Sequence, residues 1–182
     1  MPTLLKTDLE SILKKIDDNL ESYPNFVETG TYMGETILRF VNEFNRLFTI
    51  ELSETLYNNF NLIDYDRTKL KSILGDSSIV LNKVIKEIEG KTIFFLDGHY
   101  SSGNTAKGLK DVPLNEEIKH INDLFIYDGL IIIDDLRLFG TSLSEDWSQV
   151  NRETLLLILG ERVETYLEEN DRFIIKIKKI NV

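Results

Sequence analysis

Four apolar runs in this chain end on a carboxylate. Phe26–Val27 lead into Glu28, Leu47–Ile50 into Glu51, TIFFL (92–96) into Asp97, and LIII (130–133) into the pair Asp134–Asp135. If Asp97, Asp134 and Asp135 converge, they repel one another, and each pKa rises unless a cation neutralises them. Oxygen-rich clusters of this kind suit a hard divalent ion, Mg²⁺ first, with Mn²⁺ or Ca²⁺ as alternatives. The plainer reading is a set of solvated loop acids, or Asp135 paired with Arg137 two residues on.

The first run is followed by Glu28-Thr29-Gly30-Thr31-Tyr32-Met33-Gly34-Glu35-Thr36. Two glycines four apart permit a tight turn and close approach of the backbone to a ligand. The segment is not the G-x-G-x-x-G of a dinucleotide fingerprint. Its plainer reading is a strand-to-helix turn capped by Thr36. Glu51 lies about twenty residues past the glycines, where an acid suits the two hydroxyls of a ribose. Asp76 and Ser77 read equally as an adenine contact or as a helix cap. His120 sits in a helical pattern and reads as surface or packing. Trp147 with Phe139 suits a substrate mouth or loop packing, and Lys178–Lys179 reads as a solvated edge.

The elements that must position these residues follow from hydrophobic periodicity. An amphipathic helix is predicted over Lys6–Asn19, then a turn at Pro24. Strands are predicted at Asn25–Glu28, Leu47–Glu51, Lys71–Leu74, Thr92–Leu96 and Leu130–Ile133. Helices are predicted at Thr36–Phe44, Glu54–Leu62, Val80–Ile88, Asn115–Leu124 and Asn151–Leu159. Val163–Leu167 and Phe173–Ile177, around Asn170–Asp171, read as an antiparallel hairpin. The fold class is therefore α/β: a doubly wound, mostly parallel sheet of about seven strands, closed by a C-terminal antiparallel hairpin. Ligands of such sheets sit beyond the carboxyl ends of the strands. We expect one domain over 1–182, with an N-terminal helix in 1–22 and the core in 25–182.

Composition narrows the function classes. With 31 acidic against 21 basic side chains, the net charge is −10. That field disfavours a nucleic-acid partner. There is no cysteine, which excludes disulfides and thiolate chemistry. MPTLLKTDLESILKK carries charges too often for a signal peptide, and the longest aliphatic stretch, Leu155–Leu159, is too short to span a membrane. A cytoplasmic enzyme or binding domain is the expectation.

From about Asn25 onward, the chain resembles a class I S-adenosylmethionine-dependent methyltransferase. Within that superfamily it is most similar to metal-dependent O-methyltransferases that act on sugars (the macrolide and aminocoumarin tailoring type), and more distantly to those acting on catechols. The resemblance rests on E-x-G-x-x-x-G-x-T at 28–36, Glu51, D-G-x at 97–99 and I-D-D at 133–135. It implies that Glu28, Gly30 and Gly34 lie against the amino acid part of S-adenosylmethionine, with Thr31, Tyr32 and Asp97 also in the cofactor site. Glu51 would hold the ribose, and Asp76 with Ser77 would border the adenine. Asp97, Asp134 and Asp135 would ligate Mg²⁺ or Mn²⁺, and His99 would be the base. The catechol group's lysine position holds Tyr100, which departs from that mechanism. The implied acceptor is a hydroxyl of a glycan or another small molecule, its pocket shaped by 100–111 and 136–147. A homo-oligomer in which a second subunit supplies the lid is compatible with the chain. Competing readings are a nucleotide-dependent oxidoreductase, a hydroxylase, and a non-catalytic methyltransferase-like domain.

Overall fold

The computed structural model describes residues 3–99, 108, 111–142 and 145–180. Tyr100 and most of the 100–111 segment, expected to help shape an acceptor pocket, lie outside the described residues. The described chain folds as α1 (Lys6–Lys15), β1 (Asn25–Thr29), α2 (Glu35–Arg39), β2 (Arg46–Glu51), α3 (Glu54–Phe60), β3 (Leu70–Leu74) and α4 (Ser77–Ile85). It continues through β4 (Thr92–Leu96), α5 (Leu114–Leu124), β5 (Gly129–Ile133), α6 (Arg152–Leu159), β6 (Val163–Glu169) and β7 (Arg172–Ile177).

One seven-stranded sheet has the order β3-β2-β1-β4-β5-β7-β6. The first five strands run parallel, and β7 and β6 run antiparallel, as expected. Every residue of β1, β4 and β5 is buried, because helices cover both faces of the central strands. Alternation assigns each side chain to a face. Phe26, Leu47, Ile93, Leu130 and Ile174 face the core under α1 and α2. Val27, Phe48, Phe94, Ile131 and Phe173 face the core under α4, α5 and α6. At the edge, β6 alternates half-buried with exposed residues. Asn170 and Asp171 both take positive φ (50° and 62°), which a two-residue hairpin turn requires.

Several boundaries differ from expectation, α4 (Ser77–Ile85 rather than Val80–Ile88) among them, and three have plain local reasons. Helix α1 stops at Lys15, because Asp17 turns left-handed (φ 53°) and the Asp18 N–H closes back on the Leu13 carbonyl. Helix α2 ends at Arg39, and the chain continues in tighter turns that still bring Phe40 and Phe44 onto Phe26. Gly34, not Thr36, is the N-cap of α2, with φ 77°. No helix of the described residues is long and apolar enough to cross a membrane.

The Phe26, Phe40 and Phe44 rings lie 5.0–5.8 Å apart. They anchor β1, the strand that carries the glycine turn. Phe26→Ala should cost about 3–5 kcal/mol, the usual range for emptying a buried aromatic site. Urea denaturation should show this as a lower midpoint with an unchanged slope.

Candidate active site

Sheet order reverses between β1 and β4, so a crevice opens beyond their carboxyl ends. Register places the strand-end residues in a row: Asp97 N–H donates to the Thr29 carbonyl, and Asp134 N–H to the Leu96 carbonyl. Gly30, at φ 85°, lies directly against Asp97. A Cβ on Gly30 would stand 2.3 Å from the Asp97 carbonyl oxygen. That close approach is to protein backbone. Gly34 serves packing too, since a Cβ there would lie 2.3 Å from the Phe60 ring.

On the β1–β2 side, Glu28 is 2% exposed and accepts a 2.7 Å hydrogen bond from the Thr49 hydroxyl. The Thr31 and Thr49 hydroxyls lie 2.6 Å apart and share a hydrogen bond. Burial pushes the Glu28 pKa well above the usual carboxylate range, and the nearby Asp97 and Glu51 push it the same way. Glu51 is clamped by backbone: the Tyr32 and Ser53 N–H groups donate to its two oxygens, both at 2.8 Å. Burial raises its pKa and these amides oppose the rise. Tyr32 holds φ 48° and leaves its ring half exposed. Asp76 caps α4, accepting from the Ser78 N–H at 2.9 Å, and Ser77 is buried beside it.

The β4–β5 side holds the second group. His99 Nε2 lies 2.7 Å from Asp135 Oδ2 and 3.5 Å from Asp97 Oδ1, while Nδ1 lies 2.9 Å from Glu145 Oε2. The same Glu145 oxygen accepts from Trp147 Nε1 at 2.9 Å. Burial works against a charged imidazole, but the bonds to Asp135 and Asp97 win and raise the His99 pKa to about 10. Asp135, at φ 58°, also pairs with Arg137, which reaches across to Asp171. The plainer sequence reading of Asp135 is therefore present alongside the His99 contact.

Asp134 departs from the expected three-aspartate cluster. The group whose ligand atoms all lie within 4.8 Å of one another is Asp97, His99 and Asp135. Asp134 instead forms an ion pair with the buried Arg172 (Nε to Oδ1, 3.2 Å), and Arg172 also reaches Asp8 of α1 at 3.2 Å. Burial, with Asp97 adding to it, raises the Asp134 pKa to about 7. As the charges stand, the expected neutral His99 base is an imidazolium held between carboxylates. Accepting a proton would require Nε2 to lose the one it shares with Asp135.

These residues fit a divalent cation. Asp97 Oδ1 and both Asp134 oxygens are buried and accept no hydrogen bond among the described residues. Burying such oxygens is costly, and a positive charge beside them offsets that cost, as Arg172 does for Asp134 Oδ1.

Sequence reasoning missed three charged residues. Glu117 is 1% exposed on the inward stripe of α5, with Leu114, Ile118 and Ile121. A carboxylate in that helical stripe was the available signal. Its Oε1 lies beneath Gly98, where a Cβ would approach it to 3.3 Å and Thr29 Oγ1 to 2.9 Å. Arg172 shares a face with Ile174 in β7, an alternation that marks it as inward. Glu145 lies in a loop and carried no signal. Trp147 with Phe139 packs beside His99, and His120 donates to the Ser78 carbonyl at 2.7 Å, a packing role.

No protein-family model matches the chain, and no curated protein matches it by sequence. Solved structures do. An O-methyltransferase from Bacillus cereus in complex with SAH (S-adenosylhomocysteine) superposes with a TM-score of 0.64 at 15% identity, covering 97% of this chain and 82% of that one. The chain has the methyltransferase fold. The SAH-bound methyltransferase PaMTH1 of Podospora anserina gives 0.55 at 16% identity, over 87% and 72% of the two chains. An rRNA methylase from Streptococcus thermophilus gives 0.54 at 14%, over the full length of both. The methyltransferase fold thus carries unlike acceptors, and the acceptor must be argued from the site.

Burial raises the Glu117 pKa to about 7, with Ser77 and Thr29 opposing and Asp76 and Glu116 adding to the rise. An acid whose folded pKa is raised binds more protons folded than unfolded, so stability falls as pH rises. That loss should run from about pH 4.5 to 7 and then level off. Glu117→Gln should be near neutral at pH 4 and stabilise by on the order of 2–3 kcal/mol at pH 8. Denaturant titrations of both proteins at the two pH values check this.

Proposed function

We propose that the chain is an S-adenosylmethionine-dependent, divalent-metal-assisted O-methyltransferase whose acceptor is a hydroxyl of a sugar or another small molecule. The observation that carries this reading is the row of strand-end carboxylates, Glu51, Asp97 and Asp135, lining the crevice where the sheet order reverses. The methyltransferase fold and the SAH-bound neighbours support the cofactor.

Each residue's role follows from its surroundings. Glu51, held by two amides, has lone pairs left for two ribose hydroxyls. Asp76 and Ser77, at the start of α4, border the adenine. Gly30, Thr31, Tyr32 and Gly34 shape the turn over which the amino acid part of the cofactor lies. Glu28 supports that turn from below through Thr49 and Thr31. Asp97 and Asp135 would hold the ion, with Asp134 adding negative charge beside them. Bound there, a divalent ion supplies Lewis acidity that lowers the pKa of an acceptor hydroxyl. The released proton can pass to His99 if Nε2 has given up its own to solvent. The chain's main contribution is alignment of acceptor oxygen, methyl group and sulfur. A net charge of −10 disfavours phosphorylated or nucleic-acid acceptors and suits a neutral polyol.

Two measurements test the reading. Calorimetry should show S-adenosylhomocysteine binding, weakened about 10–100-fold in Glu51→Ala by the loss of charge-assisted hydrogen bonds. A wild-type protein that binds none at millimolar concentration would refute the cofactor. Chelation of divalent ions should abolish methyl transfer while leaving cofactor binding within a few-fold, and full turnover in excess chelator would remove the metal from the mechanism.

A further inference from the structure

The resemblance to sugar O-methyltransferases makes His99 a base, yet its surroundings are those of a metal ligand. Its side chain is 6% exposed, and both ring nitrogens are committed. Nδ1 faces Glu145, whose oxygen is fixed in turn by the Trp147 indole. The Trp147 ring meets the imidazole edge-on at 4.9 Å between centroids. The ring therefore cannot turn without breaking two contacts, and Nε2 is left pointing between Asp135 and Asp97. Ligating histidines have this arrangement as a rule: one nitrogen on the ion, the other donating to a carboxylate.

The distances agree. Two donor atoms each about 2.1 Å from one ion, and at right angles, lie about 3 Å apart. Nε2 stands 2.7 Å from one carboxylate oxygen and 3.5 Å from the other, which brackets that value. All three ligand atoms lie within 4.8 Å of one another, so one ion can draw them together. Asp97 Oδ1, buried and accepting no hydrogen bond among the described residues, belongs to this group. Asp134, by contrast, has Oδ1 paired with Arg172 and lies outside this close group.

We propose that His99 ligates the divalent ion through Nε2, together with Asp97 and Asp135, and that Glu145 is the outer carboxylate fixing the ring. The inference rests on the metal part of the proposed function and alters its ligand set. In the metal-free protein a proton on Nε2 takes the ion's place; as the ion binds, that proton leaves to solvent and the freed lone pair forms the Nε2–metal bond. A nitrogen in place of a third carboxylate also shifts the preferred ion. Imidazole suits Fe²⁺ or Zn²⁺, whereas carboxylate and water oxygens suit Mg²⁺ and Mn²⁺.

Mn²⁺ added to the full chain, followed by pulsed electron paramagnetic resonance, reads the ligand directly. Bound Mn²⁺ should show coupling to one ¹⁴N nucleus, kept in His120→Ala and lost in His99→Ala. Glu145→Gln should weaken Mn²⁺ binding about 10–100-fold, the usual effect of removing an outer partner. Mg²⁺ should displace Mn²⁺ only at tenfold excess or more. Mn²⁺ bound to wild-type protein without nitrogen coupling would overturn the ligand assignment and return Nε2 to proton transfer. No Mn²⁺ binding by folded wild-type protein would overturn the site itself. Calorimetry with S-adenosylhomocysteine in metal-free buffer, run in parallel, shows whether the cofactor reading stands apart from either failure.

Discussion

Like charges crowded where water is scarce are the constraint from which the rest of this structure can be understood. Parallel strands β1, β2, β4 and β5 all end on acids, and the sheet register gathers those ends along one edge. Burial raises the cost of every negative charge there, so each must be neutral, hydrogen-bonded or paired. Glu28 accepts from the Thr49 hydroxyl and its pKa is raised by burial, Glu51 is held by backbone amides, and Asp135 is paired with His99 and Arg137. Asp134 draws on Arg172. The acids differ in how they are tolerated more than in where they lie.

Those different solutions divide the edge into two chemistries. Over β1 and β2, the acids meet neutral donors: hydroxyls and peptide N–H groups. Such a surface suits a ligand with hydroxyls and amines. Over β4 and β5, they meet the basic side chains Arg137 and Arg172 and the His99 ring. The boundary between the two halves is the Gly30–Asp97 backbone contact, close enough that no side chain fits between them. A cofactor spanning one half would thus end beside the ion site of the other.

The fold was largely legible because its strands are short, apolar and bounded by turn residues, and because the Asn170–Asp171 turn has a local signature. Helix ends were less so, since the left-handed turn at Asp17 depends on backbone closure that no residue pattern announced. At the site, the strand-end acids could be read from position alone. Their partners could not. Arg172 reaches Asp134 from a different strand, Glu145 reaches His99 from a loop, and Asp134 turned away from the cluster because of an arginine 38 places along the chain. Side-chain direction is decided by three-dimensional neighbours, so position alone did not announce that His99 stands with Asp97 and Asp135.

Arg172 also bears on when the site comes into being. Its guanidinium spans Asp134 in the sheet and Asp8 in the first helix, groups separated by most of the chain. Closing so long a loop is a late event, since its entropy must be offset by contacts already made. Until it closes, the Asp134 charge has no arginine beside it, and the neighbouring carboxylates are not held in their final directions. The final arrangement of these carboxylates therefore reports that both ends of the chain have reached their places.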